Sequence, residues 1–172
     1  GVVCRVEPVA LPLDHPLARI DGSMNTVRIE GDPVGSVTLT GPGAGAGPTA
    51  SAVMGDIAKL FRPAARPAFG RAAHHASNNF IASAGDDQSA WLLCARLKDE
   101  PGALAALSEA LAGEGVSLDN LLQDSADKDG TSPAVIITHT CSRGDMDLAM
   151  QKLEGLGECL GTPRYMPIEG GG

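Results

Sequence analysis

Between Trp91 and Ile168 the apolar period of the chain switches from about two residues to about 3.6 and back, twice. Trp91-Leu92-Leu93-Cys94-Ala95-Arg96-Leu97 reads as a strand. Lys98-Asp99-Glu100-Pro101-Gly102 then turns into a helix with Leu104, Leu107 and Leu111 on its apolar face, closed by Gly113 or Gly115. Val116 to Gln123 is a second strand, Asp127-Lys128-Asp129-Gly130 a turn, and Ala134 to Thr138 a third, buried strand. Met146, Ala149, Met150, Leu153 and Leu156 form the face of a second helix. Arg164 to Ile168 completes the order, and Pro167 suits an edge strand because it has no N–H to donate. This βαββαβ rhythm predicts an α+β, ferredoxin-like unit, with two helices on one face of a four-stranded sheet.

The first third follows another plan. Val2 to Val9 is extended and bounded by Pro8 and Pro12. Asn25 to Glu30 alternates, with Val27 and Ile29 on one face. Ser36 to Thr40 does the same with Val37 and Leu39 inward, and Gly31-Asp32-Pro33-Val34-Gly35 joins the two as a hairpin. A glycine run, Gly41 to Gly47, leads into a helix opened by Pro48-Thr49, with Val53, Ile57, Leu60 and Phe61 as its stripe. From Arg62 to about Ser89 no period survives, apart from a short strand near Phe80-Ile81. The expected organisation is therefore strands and a helix over 1–61, a linker over 62–88, and the βαββαβ unit over 89–169.

Charge and cysteine usage narrow the partners. Thirteen basic against 21 acidic residues give a net charge of −8, with no basic stripe, which argues against nucleic acid and anionic membranes. No apolar run approaches the roughly 20 residues of a membrane span. Cys4, Cys94, Cys141 and Cys159 form no CxxC pair, and His15, His74, His75 and His139 show no ligand spacing with them. No metal and a reducing cytoplasm are expected. Cys94, within an apolar run, reads as a small buried hydrophobe. The adjacent His74-His75 diverge on any regular element and suit a solvated linker. Gly1-Val2-Val3-Cys4 and the final Gly170-Gly171-Gly172 look like the ends of a fragment.

Two places offer chemistry. Gly41-Pro42-Gly43-Ala44-Gly45-Ala46 exposes backbone ahead of a helix N-terminus, where an anion can approach closely. The fit to a dinucleotide fingerprint is loose, and close packing of helix on strand explains the glycines equally well. Asp99-Glu100-Pro101-Gly102 combines an acid with a helix start, where Pro101 suits the first helical position. The helix amides attract a carboxylate and Asp99 an ammonium group, while a plain helix start explains the same residues.

The stretches Pro12-Leu13-Asp14-His15-Pro16-Leu17-Ala18, Gly22-Ser23-Met24-Asn25 and Gly41 to Val53, with Asp56, resemble the closing portion of homoserine dehydrogenase. That resemblance implies a partial catalytic domain whose last helix returns to a nucleotide-binding domain. The family's glycine beside the NADP nicotinamide falls on Gly45. The family's Rossmann glycines, catalytic Lys and substrate-holding acids lie upstream. Lys59 does not match that Lys, and Asp56 orients the helix. No catalytic residue is assigned, and the chain alone is expected to be inactive.

The region from about Ser89 to Glu169 resembles an ACT domain, through the D-x-P-G turn, Gly115-Val116-Ser117-Leu118, Gln123 and Thr138-His139. The resemblance implies pairing into a homo-oligomer. It also implies an amino-acid effector, threonine, contacted by Asp99, Pro101, Gly102 and Ala103, with Asn120 and Gln123 facing them and His139 a weaker candidate. The parent enzyme is then an NADP- or NAD-linked dehydrogenase interconverting L-homoserine and L-aspartate 4-semialdehyde on the route to threonine and methionine. A stand-alone amino-acid-binding subunit and a dimerisation module without a working ligand site are the rival readings.

Overall fold

The computed structural model describes residues 4–61, 83–125, 127 and 130–170. Most of the expected linker, His74-His75, Phe80-Ile81, Lys128 and Asp129 lie outside them. The described residues fall into two compact units, 4–12 with 83–170, and 13–61.

The larger unit holds β3 (Gln88–Lys98), α2 (Ala103–Ala112), β4 (Leu118–Gln123), β5 (Thr131–Thr138), β6 (Cys141–Ser142), α3 (Arg143–Glu154) and β7 (Cys159–Ile168). The antiparallel sheet runs β4-β5-β3-β7, and the short β6 follows β5 to pair with the start of β3. This is the expected α+β arrangement. Alternation along β3 buries Trp91, Leu93, Ala95 and Leu97. They pack with Leu107 and Leu111 of α2, Ile136 of β5, and Met146, Ala149 and Leu153 of α3. Because side chains on a strand alternate in direction, Cys94 takes the opposite face and is exposed, correcting the expectation that it is buried.

Three local devices fix the ends of these elements. Gly115, at φ +75°, closes α2: its N–H donates to the Ala112 carbonyl at 3.0 Å, and Val116 N–H to Leu111 at 3.1 Å. This Schellman pair holds Val116 in the core, so β4 starts at Leu118 rather than Val116. Ser142 caps α3 through Oγ, which accepts from Asp145 N–H at 3.1 Å. The last strand begins at Cys159, earlier than the expected Arg164, because Gly161 at φ +73° lets it pass through a bulge opposite Cys94 and Arg96. Pro167 does lie on an edge strand, opposite Trp91.

Residues 4–9 form no regular element, and Ala10 makes an isolated parallel bridge to Ile168. The extended strand expected over residues 2–9 is thus reduced, within the described residues, to one bridge just beyond it.

The smaller unit is a hairpin, β1 (Met24–Gly31) and β2 (Gly35–Pro42), followed by α1 (Ala46–Leu60). Val27 lies opposite Leu39 and Ile29 opposite Val37, so the four share a face as the alternation implied. That face is not inward: the four are 37–63% exposed, and the α1 stripe of Val53, Ile57, Leu60 and Phe61 is exposed too. The other face is better covered, because Arg28 lies on it and donates to Ser36 at 3.1 Å while Thr26 and Thr40 share a hydrogen bond of 2.9 Å. Arg28 also approaches His15 Nε2 at 2.8 Å, leaving that ring 8% exposed. A guanidinium can only donate, so Nε2 accepts. A neutral imidazole has one such lone pair, so this contact prevails over the Leu17 amide, 3.3 Å from Nδ1.

Candidate functional sites

The glycine turn is built by close approach. Gly43 N–H donates to the Ser23 carbonyl at 2.7 Å, and a Cβ on Gly43 would overlap the Asn25 side chain. Gly45 takes φ +111° and ψ 159°, a conformation L side chains rarely adopt, and its carbonyl accepts from Thr49 N–H at 3.1 Å. Gly45 is the N-cap of α1, which carries no side-chain cap. The helix opens at Ala46, two residues before the expected Pro48, because proline is tolerated within a first turn. Asp56 and Lys59 pair with each other at 2.8 Å on the exposed surface of α1. The Lys59 ammonium, first by hydrogen bond and then by charge, holds the Asp56 carboxyl below its usual value.

The Asp99 turn has a different construction from the expected one. Ala103 N–H donates to the Glu100 carbonyl at 3.2 Å, and Gly102 sits at φ +97°, ψ −16°. With Pro101 before it, this is a type II turn, whose third position needs positive φ. Pro101 therefore lies in the turn before the N-cap, and not at the first helical position, which Ala103 takes. Gly102 is the N-cap and provides no side chain, so the first turn of α2 is uncapped by side chains. Asp99 is exposed beside it, tied by its N–H to the Gly130 carbonyl at 3.0 Å. Asp99, Pro101, Gly102 and Ala103 are thus brought together by one turn.

Asn120 and Gln123 are both exposed on β4, and they face opposite ways. Asn120 pairs with Ile137, and Gln123 with Ala134, whose side chain enters the core. Positions three apart on a strand point to opposite faces. His139 lies just beyond β5, exposed, with Nε2 3.9 Å from Asp119.

Sequence reasoning missed a cluster at the opposite end of β3. Arg143 donates to Glu7 at 2.7 Å, its guanidinium carbon lies 4.8 Å over the Trp91 ring, and Arg5 pairs with Asp87. Tyr165 hydrogen-bonds Asp147 and stacks obliquely on Trp91, ring centroids 5.5 Å apart. Burial first, then Asp147, pushes the Tyr165 phenol up to about 12. Burial likewise raises the Cys141 and Cys159 thiols, which makes both poor nucleophiles. Among the described residues no helix is long and apolar enough to cross a membrane, and no cluster of His, Cys, Asp or Glu is arranged to hold a metal.

Residues 2–58 match the homoserine dehydrogenase family model, and residues 91–158 match the ACT domain. Homoserine dehydrogenase of Neisseria gonorrhoeae is 35% identical over 96% of this chain and 39% of its own length. The Pseudomonas aeruginosa enzyme is 33% identical over 91% of this chain and 38% of its own. The crystal structure of a homoserine dehydrogenase from Thiobacillus denitrificans superposes on 98% of this chain and 39% of that one, with a TM-score of 0.81 and 29% identity. The chain thus spans about two fifths of the length of these relatives.

Proposed function

We infer that this chain is the C-terminal portion of a homoserine dehydrogenase, comprising the end of the catalytic domain over 1–61, a linker over 62–88 and an ACT regulatory domain over 89–169. One observation carries the inference: the dehydrogenase and ACT matches occur in that order in one chain, and the relatives match across both. A free-standing amino-acid sensor has no use for the segment 2–58.

The whole enzyme would interconvert L-homoserine and L-aspartate 4-semialdehyde with NADP or NAD, the dinucleotide carrying the hydride when bound. Gly45 fits a place beside it. It offers bare backbone at the uncapped N-terminus of α1, the positive end of the helix dipole. Asp56 and Lys59 neutralise one another on the helix surface and do no proton transfer. With no acid or base assigned, this chain alone does not turn over substrate.

The ACT domain would take threonine at the Asp99 turn: Asp99 meets the ammonium, and the open amides at the start of α2 meet the carboxylate. Two copies would pair through this domain, with β4 supplying Asn120 or Gln123. Since these face opposite ways, one of them meets a given ligand. The coding sequence upstream of Gly1 tests the reading: an in-frame dinucleotide-binding domain supports it, and its absence contradicts it.

A further inference from the structure

Residues 5–10 belong to the dehydrogenase match by sequence and to the ACT unit in space. Ala10 N–H donates to the Pro167 carbonyl at 2.9 Å, and its carbonyl accepts from Glu169 N–H at 3.0 Å. These bonds add Ala10 in parallel to the edge of β7 that faces away from β3. Three residues earlier, Glu7 accepts from Arg143, with the two side chains 23% and 15% exposed. Two further back, Arg5 pairs with Asp87, whose carbonyl also accepts the Arg143 amide at 2.8 Å. The Glu7–Arg143 pair is therefore screened by solvent less than a surface ion pair, and one end of it is fixed by backbone and by the Trp91 ring.

Arg143 is the first residue of α3, and α3 packs on α2, whose N-terminus is the Asp99 turn. Contacts therefore run without a break from that turn through both helices to Glu7. After Ala10 the chain continues through Leu11 and Pro12 into the segment that carries the glycine turn. We propose that Arg5 to Ala10 is a strap that transmits the state of the ACT domain to the dehydrogenase portion, with Glu7–Arg143 as its clasp. The proposal rests on the sensor reading above.

Spatial contiguity is a route, and coupling is a free energy to be measured. Glu7→Gln weakens the clasp, and Ala10→Pro removes the N–H that bonds Pro167. Both are made in the longer enzyme that carries this chain, with far-ultraviolet circular dichroism verifying the fold. Binding is measured by calorimetry with each of the twenty amino acids, and inhibition by the amino acid that binds best. Both variants should bind it within about twofold of wild type and keep effector-free kcat/KM within twofold. The concentration giving half inhibition should rise at least about fivefold, the lower end of ordinary allosteric coupling. Unchanged inhibition in both variants overturns the strap and leaves the sensor intact. Binding and inhibition weakened in parallel mean a merely structural role and also overturn it. No binding by any amino acid overturns the sensor reading, and the strap with it.

Discussion

Arg143 reaches across 136 residues of sequence to donate to Glu7 at 2.7 Å, with its guanidinium carbon lying 4.8 Å over the ring of Trp91. The chain has one tryptophan and one tyrosine, and both sit in this cluster. The cluster can therefore be followed optically without labels.

The core prediction contrasts two leucines. Leu107 is fully buried on the inner face of α2, so Leu107→Ala should cost about 2–5 kcal/mol. Leu39 is 63% exposed in the hairpin, and Leu39→Ala should change stability by less than about 0.5 kcal/mol. Denaturant unfolding of this chain, followed by far-ultraviolet circular dichroism, measures both. Equal losses would contradict the burial described here.

Tyr165 should titrate late. Absorbance of the single tyrosinate should rise with a midpoint near 12, against an ordinary value of 10.0. Asp147→Asn should bring that midpoint down, since Asp147 is the second cause of the shift after burial. A raised folded-state value favours the neutral phenol. Its contribution to stability is thus complete below pH 10 and lost as pH rises through about 12. A midpoint at 10 in the folded chain would contradict the contact.

How much of this was legible in the sequence differed between the halves. The ACT unit was readable because its apolar period changes sharply at Trp91, Leu104, Ala134 and Met146, and each face found its cover within the same chain. In the hairpin the alternation identified the shared face of Val27, Ile29, Val37 and Leu39, but periodicity does not report what covers a face. Cys94 was misread because a continuous apolar run hides which residues point which way. The last strand was expected only from Arg164 because the bulge through Gly161 interrupts its alternation. The Glu7–Arg143 clasp left no local signal at all: a pair 136 apart has no period.

At the glycine turn, Gly45→Val forces a β-branched side chain into φ +111° beside Pro48. In the longer enzyme the dinucleotide KM should rise severalfold or activity should vanish, while Trp91 fluorescence of the ACT unit is unchanged. Unaltered kinetics would remove Gly45 from the cofactor face.

At the Asp99 turn, Asp99→Ala would remove the proposed charge-assisted partner of an effector's ammonium, worth about 1.5–3 kcal/mol. Threonine should bind roughly 10- to 100-fold more weakly by calorimetry. Stability should hardly change, because Asp99 is exposed. Gly102→Ala acts differently: it strains a turn that needs φ +97° and should cost about 1–2 kcal/mol of stability. Equal threonine affinity in wild type and Asp99→Ala would move the ammonium site toward Asn120 and Gln123.

Homoserine-dependent reduction of NADP or NAD tests the dehydrogenase assignment most directly. The longer protein that carries this chain should show L-homoserine-dependent reduction, and these 172 residues alone should show none above buffer. Turnover by the 172-residue chain, or none by the longer protein with either dinucleotide, would contradict it.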